Sequence, residues 1–541
     1  MSALGASIAA QVGAEVRTRL RSAGTFVALA LFMIGAYLWI PNPGGKATSV
    51  SWQLADGRLQ TSVHSAAYIG SAMSFLGGFF AVAIGFYLVA GSIRRDRQRG
   101  IGAILAATPL PNASYLGGKF LAHVCYLALM TSLIVPIGIY HWLRFGVGPF
   151  DLVAFLGPLV LLTLPGIAFV SAMAVLFDVA PGLSGRFGLV AWFFTLSIFV
   201  AALPIAQARN PVTGLNDRLP FFDPMGGTTV AVLIGKSLPQ AKEGSISTGL
   251  IFREGPPIEQ VAWSGLPIDA RFVALRLGGI LWGLLPLGLA LLLFDRFDPA
   301  RRRLRLPSPG RAAKEAAVAV AAESPEIPRA RFADLAPIQV SPSRTRAVLA
   351  DALLLWQTSS FLRWPLLLAV ILAAFVPAGA TPMLGAAFLL LLAATIAEAP
   401  CREELAGAAP LVFSQPGVPR STVLWKLASV GLFSLIVGAP FLLRSALASP
   451  AQGFAAVSGL LFMAALAASF GVLTGGGKLF LALFLGLWYC SLNRIPYLDF
   501  CGLFGADLGL PVRAAYLAAG TVFVALAMAV ETRRRAGGVG R

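Results

Sequence analysis

A series of twelve long apolar runs constrains this chain more than any other feature. A helix needs roughly 20 apolar residues to cross a bilayer, and the runs have about that length. They lie at about 24–41, 67–91, 119–141, 152–178, 187–208, 273–295, 363–379, 382–398, 426–446, 452–474, 478–493 and 511–530. Only 12% of the residues are charged, against roughly 25% in soluble domains. We therefore predict an all-α polytopic membrane protein with about 12 transmembrane helices.

A basic island, Arg94–Lys119, lies between the second and third runs, and its pattern returns 307 residues later in Cys401–Lys426. The matched pairs are Arg95 and Arg402, Asp96 and Glu403, Gly100 and Gly407, Pro109 and Pro416, Ser114 and Ser421, and Lys119 and Lys426. Coincidence between two loops is the alternative, but an ungapped register between membrane-length runs favours a duplicated membrane unit.

A second repeat lies between the fifth and sixth runs of each half, where Arg218–Gly226 resembles Arg494–Gly502. Its shared residues are Arg218, Pro220, Asp223 and Gly226 in the first half and Arg494, Pro496, Asp499 and Gly502 in the second. We expect Asp223 and Asp499 to cap short helices or to pair with Arg218 and Arg494, although an ordinary Asp-Pro turn is an alternative for Asp223.

Two repeats in the same order predict two parallel six-helix units. The first unit is 1–296 and the second is 347–541, and a linker rich in proline and charge, 297–346, joins them. Lys and Arg cluster near the run ends that lie on the side of both termini, which the positive-inside rule assigns to the cytosol. Both islands are then cytosolic, and 209–272 is an outside segment of loops and short helices. The net charge of +18 points to membrane lipid rather than nucleic acid.

The sequence holds no pattern that indicates catalysis or a metal site. The four cysteines form no CxxC pair, and no HExxH is present. Gly475-Gly-Gly-Lys478 lacks the spacing and the following Ser or Thr of a phosphate-binding loop. Ion-coupled transporters usually carry a buried carboxylate or histidine in a span, and here only His123 qualifies. A lone histidine of this kind is more often a helix-packing residue, so energy for transport would come from a partner.

Two short helices are predicted near the cytosolic face of the first unit. Ile8, Val12, Val16 and Leu20 form one stripe of a helix that would lie in the membrane interface before the first span. Within the first island, Ile101–Ala107 should form a short helix that Pro109 and Pro111 end. Because this helix is continuous with two spans, it could transmit a push from a soluble motor.

The island motifs carry a family resemblance. Asp96-Arg-Gln-Arg-Gly100, Ala107-Thr-Pro-Leu-Pro111 and Tyr115-Leu-Gly-Gly-Lys119 resemble the coupling region of the membrane subunit of type 2 ABC transporters. The resemblance implies an amphipathic elbow helix, a cytosolic coupling helix and short outside helices in each six-span unit. The second island keeps the outline, but Glu404 and Ala406 stand where the first has Arg97 and Arg99, which puts equal docking of both halves in doubt.

The resemblance implies a fused permease of an exporter in the inner membrane of a bacterium. A separate cytosolic ATPase, in two copies, would bind ATP and magnesium, and this chain itself would bind no cofactor. The ATPase-coupling residues would be Arg94, Arg95, Asp96, Arg97, Arg99, Gly100, Pro109, Lys119, Arg402, Glu403, Gly407, Pro416 and Lys426. Scarce charge inside the spans predicts an apolar path for an amphipathic or lipid-like cargo of unknown identity. An ion-coupled transporter and a non-transporting membrane scaffold are the alternatives.

Overall fold

A computed structural model gives the architecture of the chain. It describes residues 3–54, 56–209, 221, 223, 224, 226–238, 241–252, 258–297, 343–358, 362–375, 377, 381–413, 421–492, 497–504 and 509–536. Nearly all of the predicted linker falls outside these ranges, as do five predicted site residues. Those residues are Arg218, Pro220, Pro416, Arg494 and Pro496.

The first half of the chain is mainly helical. Its helices are α1 (Ala3–Leu20), α2 (Ala23–Trp39), α3 (Ala66–Phe79), α4 (Gly85–Val89), α5 (Ser92–Gln98), α6 (Ile101–Ala107), α7 (Asn112–Ser132), α8 (Val135–Phe145), α9 (Leu152–Val179), α10 (Arg186–Arg209), α11 (Gly227–Ser237), α12 (Ala270–Gly278) and α13 (Leu284–Leu293). A π-helical turn at Phe80–Ile84 joins α3 to α4, and a 3₁₀ turn at Gly279–Gly283 joins α12 to α13. The short helix predicted at Ile101–Ala107 is confirmed.

The second half is also helical, and its helices have shorter connections. Its helices are α14 (Arg344–Thr358), α15 (Arg363–Phe375), α16 (Thr381–Ile396), α17 (Arg402–Leu405), α18 (Ala409–Phe413), α19 (Thr422–Ala448), α20 (Pro450–Thr474), α21 (Lys478–Leu492) and α22 (Gly509–Ala536), with a 3₁₀ turn at Ala399–Cys401. The predicted tight hairpin of the seventh and eighth runs corresponds to α15 and α16, which pack against each other.

Helices coincide with all twelve predicted runs, but fewer are long enough to be assigned as spans. Eight helices in the described ranges are long and apolar enough to cross a membrane, or nine if the bent pair α1 and α2 counts as one span. Three other apolar helices have shorter stretches in the residues searched, at Arg186–Ile198, Arg363–Ala373 and Lys478–Leu492. The last of these has 15 residues and is about 22 Å long. The polytopic helical fold is confirmed, and the count of twelve stays a prediction.

A helix is present where the amphipathic helix was predicted: α1 meets α2 at 71°, and its place in the membrane interface stays a prediction. Ser22 sits between the two helices, and its hydroxyl accepts a hydrogen bond from the amide of Thr25 at the start of α2. This cap satisfies one of the free amides of the new helix, so the chain turns from α1 into α2 within two residues.

A small β-sheet at one end of the bundle was not predicted. Its strands come from two loops that are far apart in sequence: β1 (Ala47–Thr48), β2 (Ser51–Leu54), β3 (Leu59–Ser62), β4 (Ala241–Ser247), β5 (Ile251–Phe252) and β6 (Glu259–Val261). Four strands form one sheet in the order β4-β2-β3-β6, and β1 pairs with β5. The segment 209–272 is therefore more than loops and short helices.

The long helices between this sheet and the islands set the two ends of the molecule. A continuous helical segment, Ala66–Gln98, begins beside the sheet and ends in the first island. We call its two ends the sheet end and the island end. In the core, α9 packs against α3, and α20 packs against α19 and α22. The halves meet through α2, α4 and α10 of the first and α16, α20 and α21 of the second.

Candidate functional site

The first island consists of α5 and α6, which join at Gly100. Gly100 has a φ of +75°, a left-handed conformation that glycine adopts without strain. A side chain there would meet no atom within 4 Å, so the turn, and not a close backbone approach, requires glycine. Gly407 has a φ of +68° at the matching place in the second island.

A buried network of charges ties the first island to α1 and α7. The ammonium of Lys119 lies 2.8 Å from a carboxylate oxygen of Glu15 and 2.8 Å from one of Asp96. Arg95 pairs with the same Glu15 carboxylate, and the hydroxyl of Tyr115 donates to Asp96 at 2.7 Å. Because Lys119 is only 3% exposed, its charge needs these carboxylates to compensate for lost hydration.

The second island contains a matching network. The ammonium of Lys426 lies 2.6 Å from Glu403 and 3.2 Å from Asp351. Arg402 pairs with Asp351 and lies 3.6 Å from Glu403. Asp351 is on α14, which precedes the first apolar run of the second half, as α1 precedes the first apolar run of the first half. Lys, Arg and the island acid thus keep their roles in both halves, and an acid on the preceding helix completes each network.

The remaining arginines of the first island contact carboxylates of the chain itself. Arg97 lies 3.1 Å from Asp295, and Arg94 lies 3.9 Å from Glu398 of the second half. Arg99 is exposed at the island surface. Carboxylates of the chain thus contact Arg94, Arg95 and Arg97, and the docking of an ATPase on these arginines stays a prediction. Asp96 pairs with Lys119 and so connects the island to α7.

The second repeat, Arg218–Gly226 and Arg494–Gly502, also has equivalent geometry in the described residues of its two copies. The carboxylate of Asp223 accepts the amides of Gly226 and Thr229, each at 2.9 Å, so it stabilises the start of α11 as predicted. The carboxylate of Asp499 accepts the amides of Leu503 and Phe504 at 3.1 and 2.9 Å.

Two arginines that the sequence interpretation did not identify hold these segments, whereas the predicted Arg218 and Arg494 lie outside the described residues. Arg276 donates to the backbone carbonyl of Asp223, and Arg513 donates to that of Asp499 at 2.7 Å. Arg276 is fully buried and also donates to the carbonyls of Leu161 and Leu162 at 3.0 Å. Each arginine therefore connects the turn of its repeat copy to the last long helix of its half.

Gly226 and Gly502 complete this arrangement. Both have a positive φ, +78° and +66°. A side-chain carbon on either glycine would approach the nearest guanidinium nitrogen to 3.2 and 3.1 Å. Glycine is therefore required in both copies, both for the turn and for the arginine beside it.

The two halves also contact each other in a reciprocal way at the island end. Arg186, the first residue of α10, lies 3.1 Å from Glu398 and donates to the carbonyl of Thr395 at 3.3 Å. Lys478, the first residue of α21, donates to the carbonyl of Ala90. The helices at the fifth apolar run of each half, α10 and α21, thus begin with a cation. Each cation contacts the end of the helix at the second apolar run of the other half.

A cavity of about 800 Å³ lies at this junction and is lined by both halves. Charged residues line it, among them Arg19, Arg94, Asp178, Glu398 and Lys478. The prediction of an apolar path does not describe the lining of this cavity. Charged residues near the ends of several apolar runs lie together here.

His123 is a packing residue, in agreement with the sequence interpretation. It is fully buried, and its Nε2 lies 3.1 Å from a guanidinium nitrogen of Arg19. Because arginine can only donate, Nε2 accepts this hydrogen bond and the ring is neutral. His123 therefore helps to hold α1 against α7. No group of three metal-ligating side chains occurs in the described ranges.

Comparison with known proteins identifies one family. The model of the family described as ABC-2 family transporter protein matches residues 10–298. The matched segment includes the greater part of α1, the first island, the Arg218–Gly226 repeat and the last long helix of the first half. No curated protein and no solved structure matches the chain.

Proposed function

Since the chain belongs to the ABC-2 transporter family, we propose that it carries both membrane units of an ATP-driven exporter in a single polypeptide. The chain is a multi-pass membrane permease. In the proposal, residues 347–541 form a second six-span unit that pairs with the first, as two separate chains would. A separate ATPase, in two copies, binds ATP and magnesium and docks at the island end.

The observation that carries the proposal is the agreement of the two charge networks. A lysine at the start of the third span, an arginine and an acid in the island, and an acid on the preceding helix contact one another in both halves. The family model ends at residue 298, so the second unit rests on this agreement and on the matching contacts of Asp223 and Asp499. Independent evolution of the same three contacts is a poorer explanation than duplication.

In the proposed coupling, movement of an island is passed to the helices that its charge network contacts. Each network fixes its island to the helix that precedes the first span and to the third span, so a displacement of the island moves three helices together. The exposed surfaces for docking differ between the halves. Beside its turn the first island exposes Arg97 and Arg99, whereas the second exposes Leu405 and Ala406, so we expect the first to bind an ATPase more tightly.

The remaining parts of the proposal concern place and cargo. By the positive-inside rule the island end and both termini lie in the cytosol of a bacterium, and the sheet end lies outside the inner membrane. The cargo is an amphipathic or lipid-like molecule that moves along the junction of the halves, and export follows from the family resemblance.

Reconstitution tests this function. The tagged chain is purified from native membranes, co-purifying proteins are identified, and the complex is placed in vesicles with ATP on the island side. We expect an ATP-hydrolysing subunit to co-purify, and we expect its hydrolysis rate to depend on the permease. A proton gradient that drives transport without any ATPase, or a purified complex that holds no ATPase, would contradict the proposal.

A further inference from the structure

The cavity between the halves has more positive than negative charge on its walls. Among the described residues that line it, the cations are Arg19, Arg94, Arg95, Arg99 and Lys478, and the acids are Asp178, Glu398 and Glu404. A partly enclosed wall with excess charge of one sign concentrates ions of the other sign. The lining therefore favours an anion.

The nearby carboxylates are shared among several cations, which leaves the excess uncompensated. Glu15 contacts Arg19, Arg95 and Lys119. Glu398 in turn contacts both Arg94 and Arg186. Asp96 also pairs with Lys119, which leaves Glu15 between two arginines. Glu398 likewise lies between two arginines, so positive charge remains at the cavity.

Asp178, another carboxylate of the lining, is occupied by backbone and hydroxyl donors. It accepts the amides of Gly91 and Ile93 at 2.6 and 3.0 Å and the hydroxyl of Ser92 at 3.3 Å. Asp178 therefore fixes the start of α5, and within the described ranges it forms no ion pair with Lys478.

Two cations have incomplete partners. The ammonium of Lys478 donates to one neutral carbonyl, that of Ala90, and it forms no ion pair with any described residue. Arg19 is 5% exposed, yet its Nε has no hydrogen-bond partner among the described groups. A buried donor without a partner is costly, so the neighbours of Arg19 satisfy its guanidinium only in part.

Apolar side chains line the same cavity beside these cations. Phe86, Leu88, Phe177, Leu189 and Leu479 belong to the lining. A volume of about 800 Å³ lies within the roughly 300–1,000 Å³ of small-molecule sites. The cavity could therefore hold a charged head together with part of an apolar chain.

We propose that this cavity binds an anionic group, a phosphate or a carboxylate, with Lys478 and Arg94 as its main contacts and the apolar tail of an amphiphile against Phe86 and Leu479. The inference deepens the proposed function, because it gives the cargo a charge: the molecule that enters the junction of the halves is an anionic amphiphile. Only the role of this molecule as transported cargo rests on the proposed function, since its binding requires neither ATP nor an ATPase.

Binding to the purified permease alone tests the proposal. The probes are a fluorescent lysophosphatidate and a zwitterionic lysophosphatidylcholine with the same chain and label. We expect the first to bind at least about tenfold more tightly. Replacement of Lys478 or Arg94 by glutamine should weaken lysophosphatidate binding about tenfold or more, the effect of losing one charge-assisted hydrogen bond. Lys478→Arg keeps the charge and should retain binding, which shows that the site tolerates a changed side chain.

Arg344→Gln is the matched control. Arg344 is exposed at the start of α14 and lies outside the cavity lining, so its loss should change affinity less than twofold. Inorganic phosphate distinguishes the sources of the anion: displacement of the probe by millimolar phosphate assigns the site to a free anion, and resistance assigns it to an amphiphile. Equal affinity for the two lipids, or unchanged affinity in Lys478→Gln and Arg94→Gln, would overturn the proposal. ATPase co-purification is scored separately, so this failure is distinct from failure of the proposed function.

Discussion

Replacing Lys426 by methionine should release the second island from the rest of its half. Methionine has a side chain of nearly the same length, but the change removes a charge that is fully buried. The ammonium lies 2.6 Å from Glu403 and 3.2 Å from Asp351, and both carboxylates are buried. Without it, two carboxylates share Arg402 as their remaining cation in the described network.

The cost follows from this geometry. Removing one partner of a buried ion pair typically costs about 3–5 kcal/mol, because the other charge stays buried and uncompensated. Arg402 still contacts both carboxylates, so we expect the low end, about 3 kcal/mol. At 1.36 kcal/mol per factor of ten, this raises the open population of the island roughly 100-fold.

Cys401 provides the assay, because it is next to Arg402 and only 2% exposed. In a background without the other three cysteines, the rate of labelling by a water-soluble maleimide reports how often the island opens. Lys426→Met should raise that rate roughly 100-fold. Lys119→Met, the same change in the first network, should leave it within about threefold, since that network lies in the other half. A rate in Lys426→Met within threefold of the parent would refute the reasoning.

Three further predictions use other parts of the molecule. Gly100→Trp should insert normally but reduce ATPase association and ATP-dependent transport, because a side chain strains the left-handed turn; Gly407→Trp should do less, and unchanged association in the first variant would count against coupling. A cysteine at Ser308 should resist impermeant reagents in intact cells, and labelling there would reverse the orientation. Burial lowers the pKa of His64, although the carbonyl of Pro41 opposes the shift. The folded protein should therefore lose stability as pH falls below about 6.5, and His64→Gln should reduce the difference in thermal unfolding between pH 7.5 and 5.5.

The helices and the island turn could be predicted because their signals are local. Apolar runs locate the membrane helices, and Pro109 with Gly100 bounds α6, so the sequence interpretation and the structure agree there. The number of spans does not follow from the apolar runs alone, because the described parts of three of the helices are shorter than a membrane span.

The sheet and several partners could not be predicted, because they depend on contacts between distant segments. Strands β2 and β4 are short and pair across about two hundred residues, so neither shows a pattern of its own. Glu15 and Asp351 complete the two networks, and Arg276 and Arg513 hold the outside turns, yet neither pair keeps the register of its repeat. The first half has longer loops between these residues and their partners, and those loops are the ones that form the sheet.

The composition of the complex tests the central claim most directly. The intact assembly, solubilised from native membranes with its ATPase, is weighed by native mass spectrometry and its subunits are counted. If one chain carries both membrane units, the mass corresponds to one permease and two ATPase subunits. A complex of two permease chains and two ATPase subunits would show that the second half does not replace a partner chain, and would contradict the account.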